Sequence, residues 1–338
     1  MRYIAFFLPD FNGGGAERAV LEVVTHWPQA SPLTPIVIVR AKSGPLAGAF
    51  QASDIEVISL GLRHRADRST SIRTVLALRR LFKARRIELL LTFLSAPAPV
   101  LAARTVRRRP LVGVSIQNPP GSGTAGFHAS IVKAAVLSSL RLADVVLSPT
   151  EGMLGSLPAR IRTKSHYAPN PVDTERVQPG RRRSGEAYRV GMVGRLAPQK
   201  RYDLAIESFA LADIPDSELH IWGTGDSRVQ RELSGLLDRY GIADRVTFHG
   251  FQADIEEAFM YMDCLLLTSD YEGFGNVIVE ALAAGRPVVA TDVPFGPRDI
   301  IQDSLQGVLV HPGEPSSIAD GLRTVHSLPD TEHLVAHR

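Results

Sequence analysis

Cysteine is nearly absent. The 338-residue chain has one, Cys264, inside the apolar run MDCLLLTS. A lone cysteine excludes an intramolecular disulfide framework and reads as a small buried apolar residue. Long apolar runs are missing too: no stretch approaches the ~20 residues that span a bilayer. The opening run MRYIAFFLPDF meets Asp10 at once. It is too short for the apolar core of a signal peptide, and no cleavage site follows it. A cytoplasmic location is the expectation from these features. Short-period repeats are also lacking. What is present is a globular composition, 44% hydrophobic and 22% charged, which supports a sizeable core and excludes a disordered chain. The length suits two α/β domains of roughly 150 residues each.

The small net charge of +3 hides an asymmetry. Residues 1–180 hold 23 Lys and Arg against 11 Asp and Glu, whereas residues 181–338 hold 15 against 24. A basic half joined to an acidic half implies different partners for the two. Arg79, Arg80, Lys83, Arg85, Arg86, Arg104, Arg107, Arg108 and Arg109 form the basic clusters. They suit an anionic acceptor or a lipid surface, with peripheral binding to the cytoplasmic membrane face as the expectation. The loops lack interleaved aromatics and any RNA-binding motif, so nucleic acid is not expected as a partner.

Apolar runs alternate with amphipathic stretches along the whole chain. Strands are expected at 2–8, 35–39, 55–59, 87–93, 111–116 and 144–148, with helices between them, among them 16–27 and 70–86. Residues 169–187, with three prolines, two glycines and the arginine triplet 181–183, read as an inter-domain linker. The alternation then restarts. Strands are expected at 188–193, 217–222, 245–248, 264–268, 287–290 and 307–310, and helices at 202–211, 226–240, 254–262 and 315–327. Residues 194–200 and the GPRDII stretch at 296–301 read as loops. The pattern predicts two mostly parallel sheets, each covered on both faces. The domains are then 1–168 and 188–338.

Three stretches suggest chemistry. Gly13, Gly14 and Gly15, followed by Glu17, lie between a strand and a helix, where an anionic ligand can approach the backbone. As a dinucleotide fingerprint this fails, because Arg18 stands where a small residue is required and Arg40 where an acid should end the next strand. In the second domain, Arg195 and Lys200 follow a strand. A forked guanidinium and a compact ammonium there can hold phosphate oxygens. Finally, Glu272 and Glu280 flank the small-residue turn of Gly273, Phe274, Gly275 and Asn276. Two carboxylates around a helix N-terminus suit a charged, hydroxyl-rich ligand such as a nucleotide sugar.

The run EGFGNVIVEALAAGRPVVATD at 272–292 resembles the signature of the retaining, two-domain GT-B glycosyltransferases of family 4. GRLAPQK at 194–200 is similar to that family's phosphate-binding loop, and GGGAER at 13–18 to its N-terminal glycine loop. Asn170-Pro171-Val172-Asp173 resembles its Asn-Gly-Val-Asp linker motif, and GPRDII resembles a Gly-Pro-Arg-Glu-Ile-Leu element of one branch. The resemblance implies two Rossmann-like, doubly wound parallel-sheet domains with a cleft between them, an N-terminal acceptor-binding domain and a C-terminal nucleotide-sugar domain. It implies transfer of a sugar from a nucleotide-diphosphate donor, a UDP-hexose or UDP-N-acetylhexosamine. The acceptor would be a cell-surface polysaccharide or a polyprenyl-linked oligosaccharide. By the same resemblance Glu280 binds the ribose and Glu272 the sugar hydroxyls. Arg195 and Lys200 neutralise the diphosphate, and the backbone of Phe274, Gly275 and Asn276 holds sugar and phosphate. Gly223 and Gly225 line the donor site, and the base lies near 250–252, beside Phe251. No Asp-x-Asp triplet occurs, which fits an enzyme without a metal or other cofactor.

The chain departs from the family in two places. Gln117 and Asn118 follow the fifth strand where many relatives carry a histidine, and neither titrates near neutrality. After 315–327 only SLPDTEHLVAHR remains at 327–338, so the closing crossover helices of relatives are expected to be short or missing. Two rivals use the same composition: an isomerase of the UDP-N-acetylglucosamine 2-epimerase kind, and a non-catalytic sugar-binding protein.

Overall fold

The structure, a computed structural model, describes residues 1–62, 68–93, 97–122, 126–173, 186–225, 227–252 and 254–328. The chain divides into two compact units, Met1–Pro171 and Val172–Arg338. Most of the expected linker, 174–185 with its arginine triplet, lies outside the described residues, as does the C-terminal tail from 329.

In unit 1 the elements run β1 (Tyr3–Leu8), α1 (Gly15–Thr25), β2 (Thr34–Val39), α2 (Ala47–Ala52), β3 (Glu56–Ser59), α3 (Arg68–Ala84) and β4 (Ile87–Phe93). They continue with α4 (Pro97–Arg104), β5 (Leu111–Ser115), α5 (Gly126–Leu142), β6 (Val145–Ser148), α6 (Glu151–Ser156), α7 (Ala159–Arg162) and β7 (Ser165–Tyr167). The seven strands form one sheet in the order β3-β2-β1-β4-β5-β6-β7, all parallel. Parallel strands buried on both faces need unbroken apolar runs. β1 (YIAFFL) and β2 (TPIVIV) supply them, with Ala5, Phe6, Phe7, Ile36 and Ile38 fully buried. Phe11, just past β1, stacks on Phe50 of α2 at 4.3 Å between centroids, which closes the core over that end of the sheet.

Unit 2 repeats the rule with β8 (Tyr188–Val193), α8 (Tyr202–Ala212), β9 (Ser217–Trp222), α9 (Ser227–Tyr240), β10 (Val246–Gly250) and α10 (Glu256–Tyr261). It ends with β11 (Cys264–Leu267), α11 (Asn276–Ala283), β12 (Val288–Thr291), α12 (Pro297–Ile300), β13 (Gly307–Val310) and α13 (Pro315–His326). The six parallel strands are ordered β10-β9-β8-β11-β12-β13. Ile206 and Phe209 of α8 pack with Leu219 and Ile318 in one core layer. Trp222, Phe259 and Ile278 share the other.

Each strand order reverses once, beside β1 in unit 1 and between β8 and β11 in unit 2. Ligands of doubly wound sheets bind outside the carboxyl ends of the strands at such a reversal. In unit 2 the loops that start there are those after β8 and β11.

The elements missed by sequence reading are short ones. β7 has the sequence SHY, is mostly exposed and carries no apolar pattern; only its pairing with β6 makes it a strand. The GPRDII stretch is not all loop, because its middle forms α12. Pro297 opens that helix, and the Gly296 N–H donates to Asp299 Oδ2 at 3.0 Å.

Candidate active site

The loop after β8 lies against the loop after β9. The Gly194 N–H donates to the Trp222 carbonyl and the Leu196 N–H to the Thr224 carbonyl, each at 2.9 Å, and Leu196 forms a parallel bridge with Gly225. A Cβ on Gly223, whose φ is 148°, would lie 1.8 Å from the Gly194 carbonyl oxygen, and one on Gly225 would lie 2.4 Å from that of Leu196. Loop-to-loop packing therefore accounts for these two glycines. The Tyr202 hydroxyl, donating to the Gly194 carbonyl at 2.9 Å, supports the loop from below.

Residues 198–200 form a 3-10 turn, and Arg201 follows in the left-handed region at φ 48°. Arg201 holds that conformation by pairing with Asp203 at 2.9 Å and Asp270 at 3.1 Å. These hydrogen bonds push its already high pKa further up against the cost of burial. The Thr268 hydroxyl lies 2.8 and 2.9 Å from the carbonyls of Lys200 and Arg201. The Asp270 N–H donates to the Gln199 carbonyl at 2.9 Å, and the Gln199 side-chain amide donates to the Tyr271 carbonyl. These bonds stitch the loop after β8 to the loop after β11.

Their result is an ion pair. Lys200 Nζ lies 2.5 Å from Glu272 Oε1, and the Ser269 hydroxyl donates to the same oxygen at 2.6 Å. Glu272 is buried. Its Oε2 accepts no hydrogen bond among the described residues, so half of the carboxylate is open to a hydroxyl donor. Burial, and then the Glu272 charge, push the Tyr202 phenol well up. Tyr271 is raised for the same two reasons, in the same order, while Arg195 pulls it the other way. Arg195 itself is exposed, and among the described residues its guanidinium makes no hydrogen bond or ion pair.

Next comes the turn. Phe274 is buried, and Gly275 at φ 89° is the N-cap of α11. Gly296 lies so close beneath that a Cβ there would meet the Phe274 carbonyl at 2.5 Å. No side chain caps α11, and its first turn contains no acid. The N-terminus of α11 thus keeps the partial positive charge of the helix dipole, which suits an anion. Asn276 is the first residue of α11, and Glu280, half-buried, lies one turn further along. Phe251, just past β10, is 39% exposed.

In unit 1 the glycine loop is built differently. Gly13 is left-handed at φ 79°, Gly14 is the N-cap of α1, and Gly15 is its first residue. Glu17 is buried, and a Cβ on Gly14 would come within 2.8 Å of Glu17 Oε2. The helix thus carries its own carboxylate at its N-terminus, where an anionic ligand was expected. Gln117 is also engaged within the unit. Its Nε2 donates to Ser115 Oγ at 2.8 Å and to Asn170 Oδ1 at 3.2 Å, and its Oε1 accepts from Asn170 Nδ2 at 2.9 Å. The side chain is buried in this amide pair, whereas Asn118 is exposed.

Family models match both halves of the chain: "Glycosyltransferase Family 4" over residues 13–176 and "Glycosyl transferases group 1" over residues 173–336. The chain belongs to the group 1, family 4 glycosyltransferases. The poly(ribitol-phosphate) alpha-N-acetylglucosaminyltransferase of Staphylococcus aureus is 30% identical over 159 residues, 46% of this chain and 29% of that protein. The GDP-mannose-dependent alpha-mannosyltransferase of Mycobacterium tuberculosis is 32% identical over 209 residues, 59% and 50% of the two chains. The chain therefore spans half or less of the length of these relatives. Among solved structures, Anabaena Alr3699/HepE in complex with UDP and glucose superposes with a TM-score of 0.79, at 20% identity over 96% of this chain and 89% of that one. The lipopolysaccharide outer core galactosyltransferase WaaB superposes with 0.71, at 20% identity over 96% and 90%. At that identity the likeness concerns the GT-B fold.

Several contacts escaped sequence reading: in unit 2 Ser269 on the Glu272 carboxylate, with Gln199 and Thr268 as stitches, and in unit 1 Asn170 as the partner of Gln117. Ser269 stands three residues before Glu272 at a strand end, a spacing with no signal of its own. The Asn170–Gln117 pair joins positions 53 residues apart, which only the fold brings together.

Proposed function

We propose that the chain transfers a sugar, with retention of anomeric configuration, from a nucleotide-diphosphate donor to a cell-surface polysaccharide or lipid-linked oligosaccharide. The donor is a UDP-hexose or UDP-N-acetylhexosamine. The observation that carries this is the Glu272 carboxylate, paired to Lys200 through one oxygen and open at the other, beside the uncapped end of α11. A donor diphosphate competes for Lys200, and the sugar hydroxyls donate to Glu272. Binding then exchanges the ion pair for two ligand contacts.

Breaking the glycosyl–phosphate bond builds negative charge on the leaving diphosphate. Lys200, Arg195 and the first N–H groups of α11 stabilise that charge where it forms. Fixed cations and a helix end supply this without a divalent ion, so EDTA should leave turnover unchanged. Glu280 on α11 takes the ribose. Structures of the same fold support the UDP base, one of them described with UDP and glucose and another with UDP and a glycan. Relatives named for lipopolysaccharide core and poly(ribitol-phosphate) support the acceptor class.

The test is turnover on a nucleotide-sugar panel with acceptor glycans. Lys200→Ala and Glu272→Ala serve as controls, and the products are assigned by NMR. Transfer with retained configuration, abolished in both variants, is expected. Epimerised donor, binding without turnover, or full activity in both variants would overturn the proposal.

A further inference from the structure

Two hydroxyl residues, Thr268 and Ser269, follow β11, and each serves a different partner. Both are buried, Ser269 completely. The Thr268 hydroxyl lies 2.8 Å from the Lys200 carbonyl, so it holds the backbone of the cation. The Ser269 hydroxyl donates to Glu272 Oε1 at 2.6 Å, so it holds the carboxylate. Ser269 is anchored in turn, because its carbonyl accepts from the Thr291 hydroxyl at 2.7 Å, at the end of β12. A Cβ on Gly296 would lie 3.3 Å from Glu272 Cβ, so the root of the carboxylate side chain is closely packed as well.

Ser269 shares Oε1 with the Lys200 ammonium, 2.5 Å away. The two donors differ in how firmly they stay. Lys200 reaches the oxygen on a long flexible stem, whereas the serine hydroxyl stands on a short side chain over a fixed backbone. A buried carboxylate that loses its cation is costly unless another donor remains. Apart from Lys200, Ser269 is the donor that Glu272 has among the described residues. Next to the cation the serine is redundant; without the cation it is not.

We propose that Ser269 is the positioning residue of a hand-over. When a donor diphosphate draws the Lys200 ammonium off Glu272, the Ser269 hydroxyl keeps the carboxylate hydrogen-bonded and in place, with Oε2 left for the sugar. Because the exchange at Lys200 belongs to the donor reading of the site, the role of Ser269 rests on that reading.

The experiment is calorimetric titration of UDP and of GDP into the full chain, Ser269→Ala, Ser269→Cys, Lys200→Ala and the double variant Ser269→Ala/Lys200→Ala, each checked for native melting. Cysteine nearly keeps the volume of serine but donates weakly. A hydrogen bond to a charged group is worth on the order of 10- to 100-fold, and part of it is lost from the free chain too, so both serine variants should weaken nucleotide binding roughly tenfold. In the Lys200→Ala background the carboxylate keeps the same partners before and after binding, so removing Ser269 there should change affinity by less than about twofold. That non-additivity is what simple packing would not produce. Wild-type affinity in either serine variant, or an equal loss with and without Lys200, would overturn the hand-over and leave the donor reading standing. A wild-type chain that binds neither nucleotide would overturn both.

Discussion

The first βα loops of the two units stand at the same place in the fold and differ in what they hold. Both follow a strand beside the sheet reversal, and both are glycine-containing. In unit 1 the helix that follows has Glu17 folded onto its own N-terminus. Elsewhere in unit 1 the Gln117 amide is taken up by Asn170. In unit 2 the loop after β8 delivers two cations, and the uncapped end of α11 adds a third positive element. One of the cations is paired to a carboxylate that keeps an oxygen open. The helix end nearest the loop thus has a buried carboxylate beside it in unit 1, whereas the loop of unit 2 carries cations. The same fold can present or withhold a phosphate site by the placement of one carboxylate.

The largest way to break this contrast is to remove the unit 2 charge. Lys200→Ala should lower kcat on the order of 10²–10³-fold, the usual cost of losing a preorganised charge stabiliser. Steady-state kinetics on the best donor measures it. A loss below tenfold would mean that the diphosphate lies elsewhere.

The glycines give the next contrast. Gly223→Ala forces a Cβ against a backbone oxygen at a left-handed φ and should destabilise unit 2 by at least about 3 kcal/mol. Gly14→Ala meets only the flexible end of Glu17, and should cost less than about 1 kcal/mol. Urea unfolding of the two variants separates them, and equal losses would refute the difference in packing.

A smaller effect is expected at the amide pair. Gln117→Ala leaves Asn170 with unmet hydrogen bonds, at a cost of about 1–2 kcal/mol in stability. Donor affinity should not change, because the pair lies within unit 1. A weakened donor would instead give Gln117 a role at the ligand.

The smallest is a pH effect. Burial depresses the pKa of His220 and of His249, which lie 2.9 Å apart on β9 and β10. Both therefore take up protons less readily when folded than when unfolded, where histidines do so near pH 6.5. Their contribution is complete above that value and is lost as the pH falls through and below it. The melting temperature should drop from pH 7 to 5.5, and less steeply in His249→Gln. A parallel drop would clear this pair of any part in it.

The alternation of apolar runs made the two sheets legible in sequence, because parallel strands buried on both faces must be continuously apolar. β7 was not legible, since three exposed residues at an edge carry no pattern. The charged half of the site was readable because Lys200 and Glu272 stand in glycine-containing loops that follow apolar strands. Their mutual pairing was not, since it joins residues 72 apart. The glycines of 223–225 were read as site lining, whereas close backbone packing accounts for them. In unit 1 the glycine loop reads as an anion site, and only the fold shows the buried Glu17 carboxylate lying beside Gly14.

The central claim is that the anion site belongs to unit 2. Calorimetric titration of UDP into the wild-type chain, Lys200→Ala and Glu17→Gln tests it most directly. Binding should weaken roughly tenfold to 100-fold in Lys200→Ala, as for loss of a charge-assisted hydrogen bond, and should be unchanged in Glu17→Gln. Unchanged affinity in Lys200→Ala, or a change confined to Glu17→Gln, would contradict the claim.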